Sequence, residues 1–235
     1  MRAFIDLHCH TRGSFDSLAD PARVLRAAAT RGLTHLAITD HDRVDVALAF
    51  RDSAPEGLTV IVGEEIKTTA GDLIGVFLER AIPPGLSPSE AIAAVREQGG
   101  LVGIPHPFDR FRSSLAAGEA GLEALAGLVD WVEGYNARLI GGGNERAALF
   151  AHEHGLPAVA ASDAHSILEV AVAYTILDGD PSTPAGLMAA LPTADMVMSR
   201  ASYLVRGITP IAKVVQRFRG NGRAPMPPRG AGAAR

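Results

Sequence analysis

Four short apolar runs in this chain end in histidine motifs, most of them beside a carboxylate, and that pattern restricts the fold more than any other feature. Residues 3–7 lead into His8-Cys9-His10, and residues 35–39 into Asp40-His41-Asp42. Residues 101–104 lead into Pro105-His106-Pro107, and residues 157–161 into Ser162-Asp163-Ala164-His165. A fifth run, residues 58–62, ends in Gly63-Glu64-Glu65. Short apolar runs bounded by turn residues read as buried strands. Further strands are expected at 72–78, 131–135 and 173–177.

Helices are expected between these strands. Residues 21–31 have Asp20 as N-cap, Pro21 in the first turn and Gly32 as stop. Ser87-Pro88-Ser89-Glu90 forms a capping box for a helix that ends at Gly99-Gly100. Residues 44–53, 122–128, 144–154 and 183–191 are the other helical stretches, and 106–115 reads as a loop. Strands alternating with helices imply parallel pairing with right-handed crossovers. Strand segments apolar throughout are covered on both faces. The polar motifs all fall at strand C-termini, so the expected fold is an α/β barrel, closed or nearly so, with its chemistry on the C-terminal rim.

The histidine pairs have a spacing of two, which projects side chains from one side of an extended chain. Imidazole mixed with carboxylate suits Mn, Zn or Fe, and a cluster this large suits two or three divalent ions. Cys9 points to the other side and reads as a small packed residue. His35, His152 and His154 stand away from the rim and read as structural. Asp40 lies just before His41 and is expected to orient a histidine rather than bind metal.

Composition narrows the setting. The chain has 235 residues, 47% of them apolar and 20% charged, enough for one sizeable core and not for disorder. No apolar run reaches the roughly 20 residues of a membrane span. The first residues show no signal peptide, and with Cys9 as the only cysteine a reducing cytoplasm is expected. The net charge of −4 is split unevenly. Residues 196–235 carry eight Lys or Arg and no acid, leaving fourteen basic and twenty-six acidic groups, −12, in residues 1–195. The acidic body does not suit a nucleic-acid track, so stable nucleic-acid binding is not expected. Residues 196–219 are expected to pack on the 1–195 domain, and the Gly/Pro/Arg-rich stretch 220–235 to be a solvated, disordered tail without an assigned role.

Taken in order, Asp6-Leu7-His8-Cys9-His10-Thr11, Thr39-Asp40-His41-Asp42, Gly63-Glu64-Glu65-Ile66, His106-Pro107 and Ser162-Asp163-Ala164-His165 resemble the successive motifs of the PHP (polymerase and histidinol phosphatase) family. Ile104–Asp109 and Glu133-Gly134-Tyr135-Asn136 are similar to its small stand-alone metal-dependent phosphoesterases, which carry a PHP-associated C-terminal segment. The resemblance spans about residues 3–180. It implies a distorted (β/α)7 barrel, TIM-barrel-like, with a di- or trinuclear metal centre. It further implies His8 and His10 on one metal with Glu65 bridging to a second, and His41 with Asp16 on another ion. His106, Asp163 and His165 match the remaining ligands, with Asp163 shared. Glu64 competes with Glu65, and the usual Gly-x-Glu spacing favours Glu65. A further histidine present in many trinuclear relatives is absent here. Glu133 or Asn136 is a substitute oxygen ligand at that place, or the third site is weakened.

The function so implied is hydrolysis of small phosphomonoesters, nucleotides among them, by a metal-bridging hydroxide. Arg110 and Arg112 are candidate phosphate clamps, since guanidinium matches phosphate bidentately, with Arg12 and Lys67 behind them. Simple surface solvation is the competing reading for each. His165 or Asp163 is the candidate proton donor to the leaving group. Three other readings stay open. An amidohydrolase would want a lysine at a strand end, and none of the two lysines stands there. A non-catalytic metal-holding module would have lost ligands. A nuclease acting on short oligonucleotides would use the basic tail.

Overall fold

The computed structural model describes residues 1–109, 119–202, 205 and 207–223. In chain order it contains β1 (Arg2–Asp6), α1 (Pro21–Thr30), β2 (His35–Ile38), α2 (Asp45–Phe50), β3 (Thr59–Lys67), β4 (Asp72–Val76), α3 (Pro88–Arg96) and β5 (Leu101–Ile104). Then follow α4 (Glu119–Leu125), β6 (Trp131–Asn136), α5 (Gly143–Glu153), β7 (Ala158–Ala161), β8 (Tyr174–Asp178), α6 (Pro184–Ala190), β9 (Asp195–Val197) and α7 (Ile208–Phe218). The caps anticipated from sequence form: Asp20 accepts from Arg23 N, and Ser87 and Glu90 make a reciprocal capping box.

The strands form one sheet in the order β7-β6-β5-β4-β3-β2-β1-β8-β9, curled into a nearly closed barrel. Strands β1, β2 and β3 are parallel to one another, as are β5, β6 and β7. The expectation of parallel pairing throughout fails at β4, which is antiparallel to both neighbours. The cause is local. Only four residues separate Lys67 from Asp72, too few for a crossover helix. Thr68 closes the hairpin by donating its N–H to Gly71 O at 2.9 Å. Strand β3 also runs five residues further than its apolar stretch, carrying Glu64 and Glu65 inside the sheet. Strands β8 and β9 are antiparallel additions beside β1, and β9 was not anticipated.

Closure uses a side chain where a strand ladder is missing. The Thr175 hydroxyl of β8 accepts from Ala160 N at 2.8 Å and donates to Ala160 O at 3.0 Å on β7. One layer higher, the chain beyond β1 pairs directly with the chain beyond β7. Asp163 N donates to His8 O and His10 N to Ala164 O, both at 2.9 Å. Strands β1–β7, with β4 reversed, and the antiparallel β8 between β1 and β7 therefore enclose the interior.

Period-two alternation divides the apolar residues into two cores. Ile5, Ala37, Ile61, Ile74, Trp131 and Val159 fill the barrel interior. Leu36, Ile38, Val60, Val62, Val102 and Val132 face outward onto Val24, Leu25, Val95 and Phe150 of the helices. Cys9 belongs to the outer layer and is fully buried, as its position between two histidines implied. Gly103 is a steric necessity, because a Cβ there would stand 2.1 Å from the Trp131 ring. Gly103→Ala should lower unfolding stability by at least about 2 kcal/mol through overpacking, read by denaturant melts. Wild-type stability in that variant would mean that Trp131 has room to move.

Candidate metal centre

Backbone ladders continue past the strand ends into each motif, and this is what makes the rim rigid. Thr39 N donates to Cys9 O at 2.9 Å, Glu65 N to Asp40 O at 3.3 Å and Asp42 N to Glu65 O at 3.1 Å. A parallel bridge joins His41 to Glu65, and another joins Cys9 to Ala164. Of five non-glycine residues with positive φ among the described residues, three stand here: Asp42 (56°), His106 (27°) and Asp163 (50°). Backbone held in that region costs of order 1–3 kcal/mol each and persists where the surroundings enforce it.

The side chains converge into overlapping groups of donor atoms. His10, Asp16, His41 and His165 form one; His8, His106 and Asp163 form a second; His8, His10 and Glu65 form a third, each within 4.8 Å internally. Glu65 lies at the centre. Its Oε2 is 3.4 Å from His8 Nε2, 3.3 Å from His10 Nε2 and 3.0 Å from His41 Nδ1, and its Oε1 is 3.1 Å from His106 Nε2. Asp163 Oδ1 lies 3.7 Å from His8 Nε2, 3.5 Å from His10 Nε2 and 3.4 Å from His165 Nδ1. Asp16 Oδ2 is 3.5 Å from His41 Nε2 and 3.3 Å from His165 Nε2.

Supporting groups fix which ring nitrogens face inward. His8 Nδ1 donates to Glu133 Oε1 at 2.6 Å. The Ser14 hydroxyl gives its one proton to Asp40 Oδ1 at 2.8 Å, so at 2.9 Å it accepts from His10 Nδ1. His165 Nδ1 donates to the Asp163 carbonyl at 2.9 Å. All three rings thus turn Nε2 inward, the usual role of groups behind metal-binding histidines. His8 Nε2 and His10 Nε2 then stand 2.9 Å apart, and His165 Nε2 faces the carboxylate of Asp16. Converging lone pairs repel unless positive charge lies between them. Asp16 Oδ1, His41 Nδ1 and His106 Nδ1 are buried with no hydrogen-bond partner among the described residues. The donor set therefore fits divalent cations.

The electrostatics point the same way. Burial disfavours a charged His8, yet Glu133, Asp163 and Glu65 hold its pKa well above the ordinary value. Burial also works against His10, and hydrogen bonds to Asp163 and Glu65 still raise it to about 9. Burial is the largest influence on Glu65 and opposes its ionisation, but His41 and His8 pull it well below the usual range. The carboxylates thus demand cationic charge at this point, from protons or metal. His165 differs: burial, reinforced by His10 and Arg138, holds it near 4 against the pull of Asp16. These surroundings favour the uncharged imidazole, the form that ligates metal.

Several sequence expectations find other positions. Glu64 turns away from the cluster and accepts from Ile82 N at 2.8 Å, so Glu65 alone of the pair lies among the histidines. Glu133 sits behind the cluster, with Oε2 accepting from His106 N and from Asn136 Nδ2. Asn136 Nδ2 also donates to Asp163 Oδ2 at 3.1 Å, so its amide supports carboxylates. Asp40 reaches no ring directly; it holds Thr11 and Ser14 and acts on His10 through Ser14. Arg12 pairs with Asp20 at 2.7 Å, away from the cluster. Arg110 and Arg112 lie outside the described residues.

The cluster opens into a cavity of about 550 Å³ whose lining includes Asp16, His41, Glu65, Asp163 and His165, the further carboxylates Asp72 and Asp109, and the cations Arg138, Lys213 and Arg223. Sequence reasoning missed Arg138, which stands in the turn just after β6, where no strand periodicity marks it. The Arg138 guanidinium is held by Glu169 at 3.2 Å and by Thr209 Oγ1 at 2.7 Å.

A nearly closed barrel with a histidine-carboxylate rim defines the class: a barrel protein whose His/Asp/Glu clusters could hold metal. Residues 6–138 match the PHP domain and residues 141–194 the PHP-associated segment, and the chain belongs to the PHP family. It is 38% identical over 143 residues to one uncharacterized protein of Methanocaldococcus jannaschii, covering 56% of this chain and 81% of that one. It is 37% identical over 173 residues to another from the same organism, 72% and 68% covered. A 5'-3' exoribonuclease of Haemophilus influenzae is 28% identical over 127 residues, covering 48% and 46%. Among solved structures, a Bacteroides vulgatus two-domain protein containing a predicted PHP-like metal-dependent phosphoesterase superposes with a TM-score of 0.68 at 20% identity, over 85% of this chain and 65% of that chain. Endonuclease Q of Pyrococcus furiosus gives 0.65 at 16% identity, over 84% and 58%.

Glu133→Gln removes the charge behind His8. Metal affinity, measured by competition with a chromophoric chelator, should fall about 10- to 100-fold with the fold intact. Undiminished affinity would show that Glu133 does not tune the centre.

Proposed function

We propose that this chain is a metal-dependent phosphoesterase that hydrolyses small phosphomonoesters. The observation that carries the reading is the joining of the His/Asp/Glu cluster to a cavity of small-molecule size with guanidinium and ammonium groups facing it. Two or three divalent ions, Mn, Zn or Fe by the donor types, would be held by His8, His10, Asp16, His41, Glu65, His106, Asp163 and His165. When bound, they supply an activated water at neutral pH and neutralise phosphate charge.

The remaining work falls to this chain's own residues. Arg138, braced by Glu169 and Thr209, presents its guanidinium to phosphate oxygens in the cavity. The layer of Glu133, Ser14 and Asp40 keeps the ring nitrogens aimed inward, so no reorganisation accompanies the reaction. His165 or Asp163, both lining the cavity, is the candidate to handle the leaving-group proton. Phe15, Ile140 and Pro210 give the cavity apolar wall for the organic part of a substrate.

A second reading, cleavage at the end of an oligonucleotide, is supported by the likeness to the exoribonuclease and to Endonuclease Q, one structure of which is a complex with a 27-mer duplex bearing an abasic lesion. The cavity favours the smaller substrate.

Purified protein, stripped by chelation and reloaded with each metal in turn, should release phosphate from some members of a nucleotide and sugar-phosphate panel. No release with any metal would overturn the proposal. Selective release of nucleotides from oligonucleotides would favour the second reading. His10→Ala should lower kcat/KM by at least about 10³-fold while far-UV circular dichroism and thermal melting stay near wild type. Global unfolding of that variant would assign the cluster a structural role instead.

A further inference from the structure

The basic C-terminal region has no role in the sequence reading, and its residues 207–223 are bound against the metal pocket. Gln216 of α7 is 2% exposed, an unusual burial for an amide side chain. Its Nε2 lies 2.7 Å from Arg12 O, 2.9 Å from Ser14 O and 2.7 Å from Ser17 O. These three carbonyls belong to the loop that carries Phe15 and Asp16. Asn221 adds a bond from Nδ2 to Gly13 O at 2.9 Å and accepts from Arg43 at 3.2 Å. Arg223 reaches Asp72 Oδ1 at 2.8 Å and Asp42 Oδ2 at 3.4 Å. The expectation of a solvated tail from residue 220 therefore fails for Asn221 and Arg223, while residues 224–235 lie outside the described residues.

Two cations of this segment line the cavity, and they differ. The Arg223 charge is balanced by two buried carboxylates. Lys213 has no carboxylate within ion-pair range among the described residues. Its Nζ stands 5.4 Å from the centroid of the Phe15 ring, on the pocket side of α7. An ammonium held over an aromatic face and left without a counter-ion, facing a pocket read as a phosphate site, lacks only an anion.

We propose that residues 207–223 form a wall of the substrate pocket, with Lys213 binding the substrate's phosphate anion and Gln216 positioning the loop that carries Asp16 and Phe15. This rests on the phosphoesterase reading for its choice of anion. Lys213 adds a cation to the cavity wall beside Arg138 and Arg223. Gln216 acts through three backbone carbonyls, so its loss frees the loop without touching a ligand.

The test uses the full chain loaded with metal and inorganic phosphate as probe. Lys213→Ala should weaken phosphate binding by calorimetry about tenfold, Lys213→Arg should restore most of it, and on an active monoester KM should rise more than kcat falls. In Gln216→Ala, amide hydrogen exchange across residues 12–19 should speed up about tenfold or more while the barrel strands keep their protection. If that variant does not fold, Asn221→Ala, which removes one of the two donors to Gly13 O and leaves Arg43, should show the same loosening more weakly. Phosphate affinity within twofold of wild type in Lys213→Ala, or an unchanged loop in both amide variants, overturns the inference. Wild-type protein that binds phosphate through Lys213 but hydrolyses no monoester would leave the wall in place and defeat only the phosphoesterase reading.

Discussion

Four carboxylates, Asp16, Glu65, Glu133 and Asp163, are buried against five imidazoles at one end of the barrel. Burying one ionised carboxylate is expensive unless it is paired, and burying four within a few ångströms is tolerable only with compensating positive charge in the same place. Histidines pinned by Glu133, Ser14 and the Asp163 carbonyl turn lone pairs inward, so they cannot all supply that charge as protons without clashing. Divalent cations held by these residues would resolve the conflict.

The barrel holds these groups at close quarters. Ligand motifs continue the strand ladders instead of hanging from loops, and the bridge between Cys9 and Ala164 closes the sheet between two of them. The left-handed backbone at Asp42, His106 and Asp163 is strain that a rigid frame can impose. Below the rim, Thr175 substitutes for a strand ladder, and Trp131 fills the space that Gly103 vacates. Fold and site thus share their parts: the pairing that closes the barrel also sets the distance from His8 and His10 to Asp163.

The convergence of His8 and His10 was legible in the sequence because a spacing of two in extended chain is a local rule. The preference for Glu65 over Glu64 came from the Gly-x-Glu spacing of the family the chain resembles. Orientation of the supporting groups was less accessible. Glu133 and Asn136 were candidate ligands by position, and only their contacts with His8 and Asp163 show them behind the cluster. Strand β4 was located, but its direction depended on a four-residue hairpin that a general rule about alternating strands and helices overrode. Arg12 looked like a phosphate clamp by proximity, whereas Asp20 holds it elsewhere. Gln216 and Lys213 were invisible, since they meet residues 12–17 across about two hundred positions and no local pattern records that contact.

Anomalous diffraction from crystals grown with Mn, collected at its absorption edge, tests whether this rim holds metal. Peaks should stand among His10, Asp16, His41 and His165 and among His8, Glu65, His106 and Asp163. A map without peaks at those positions, from crystals in which the same side chains keep their arrangement, would contradict the account.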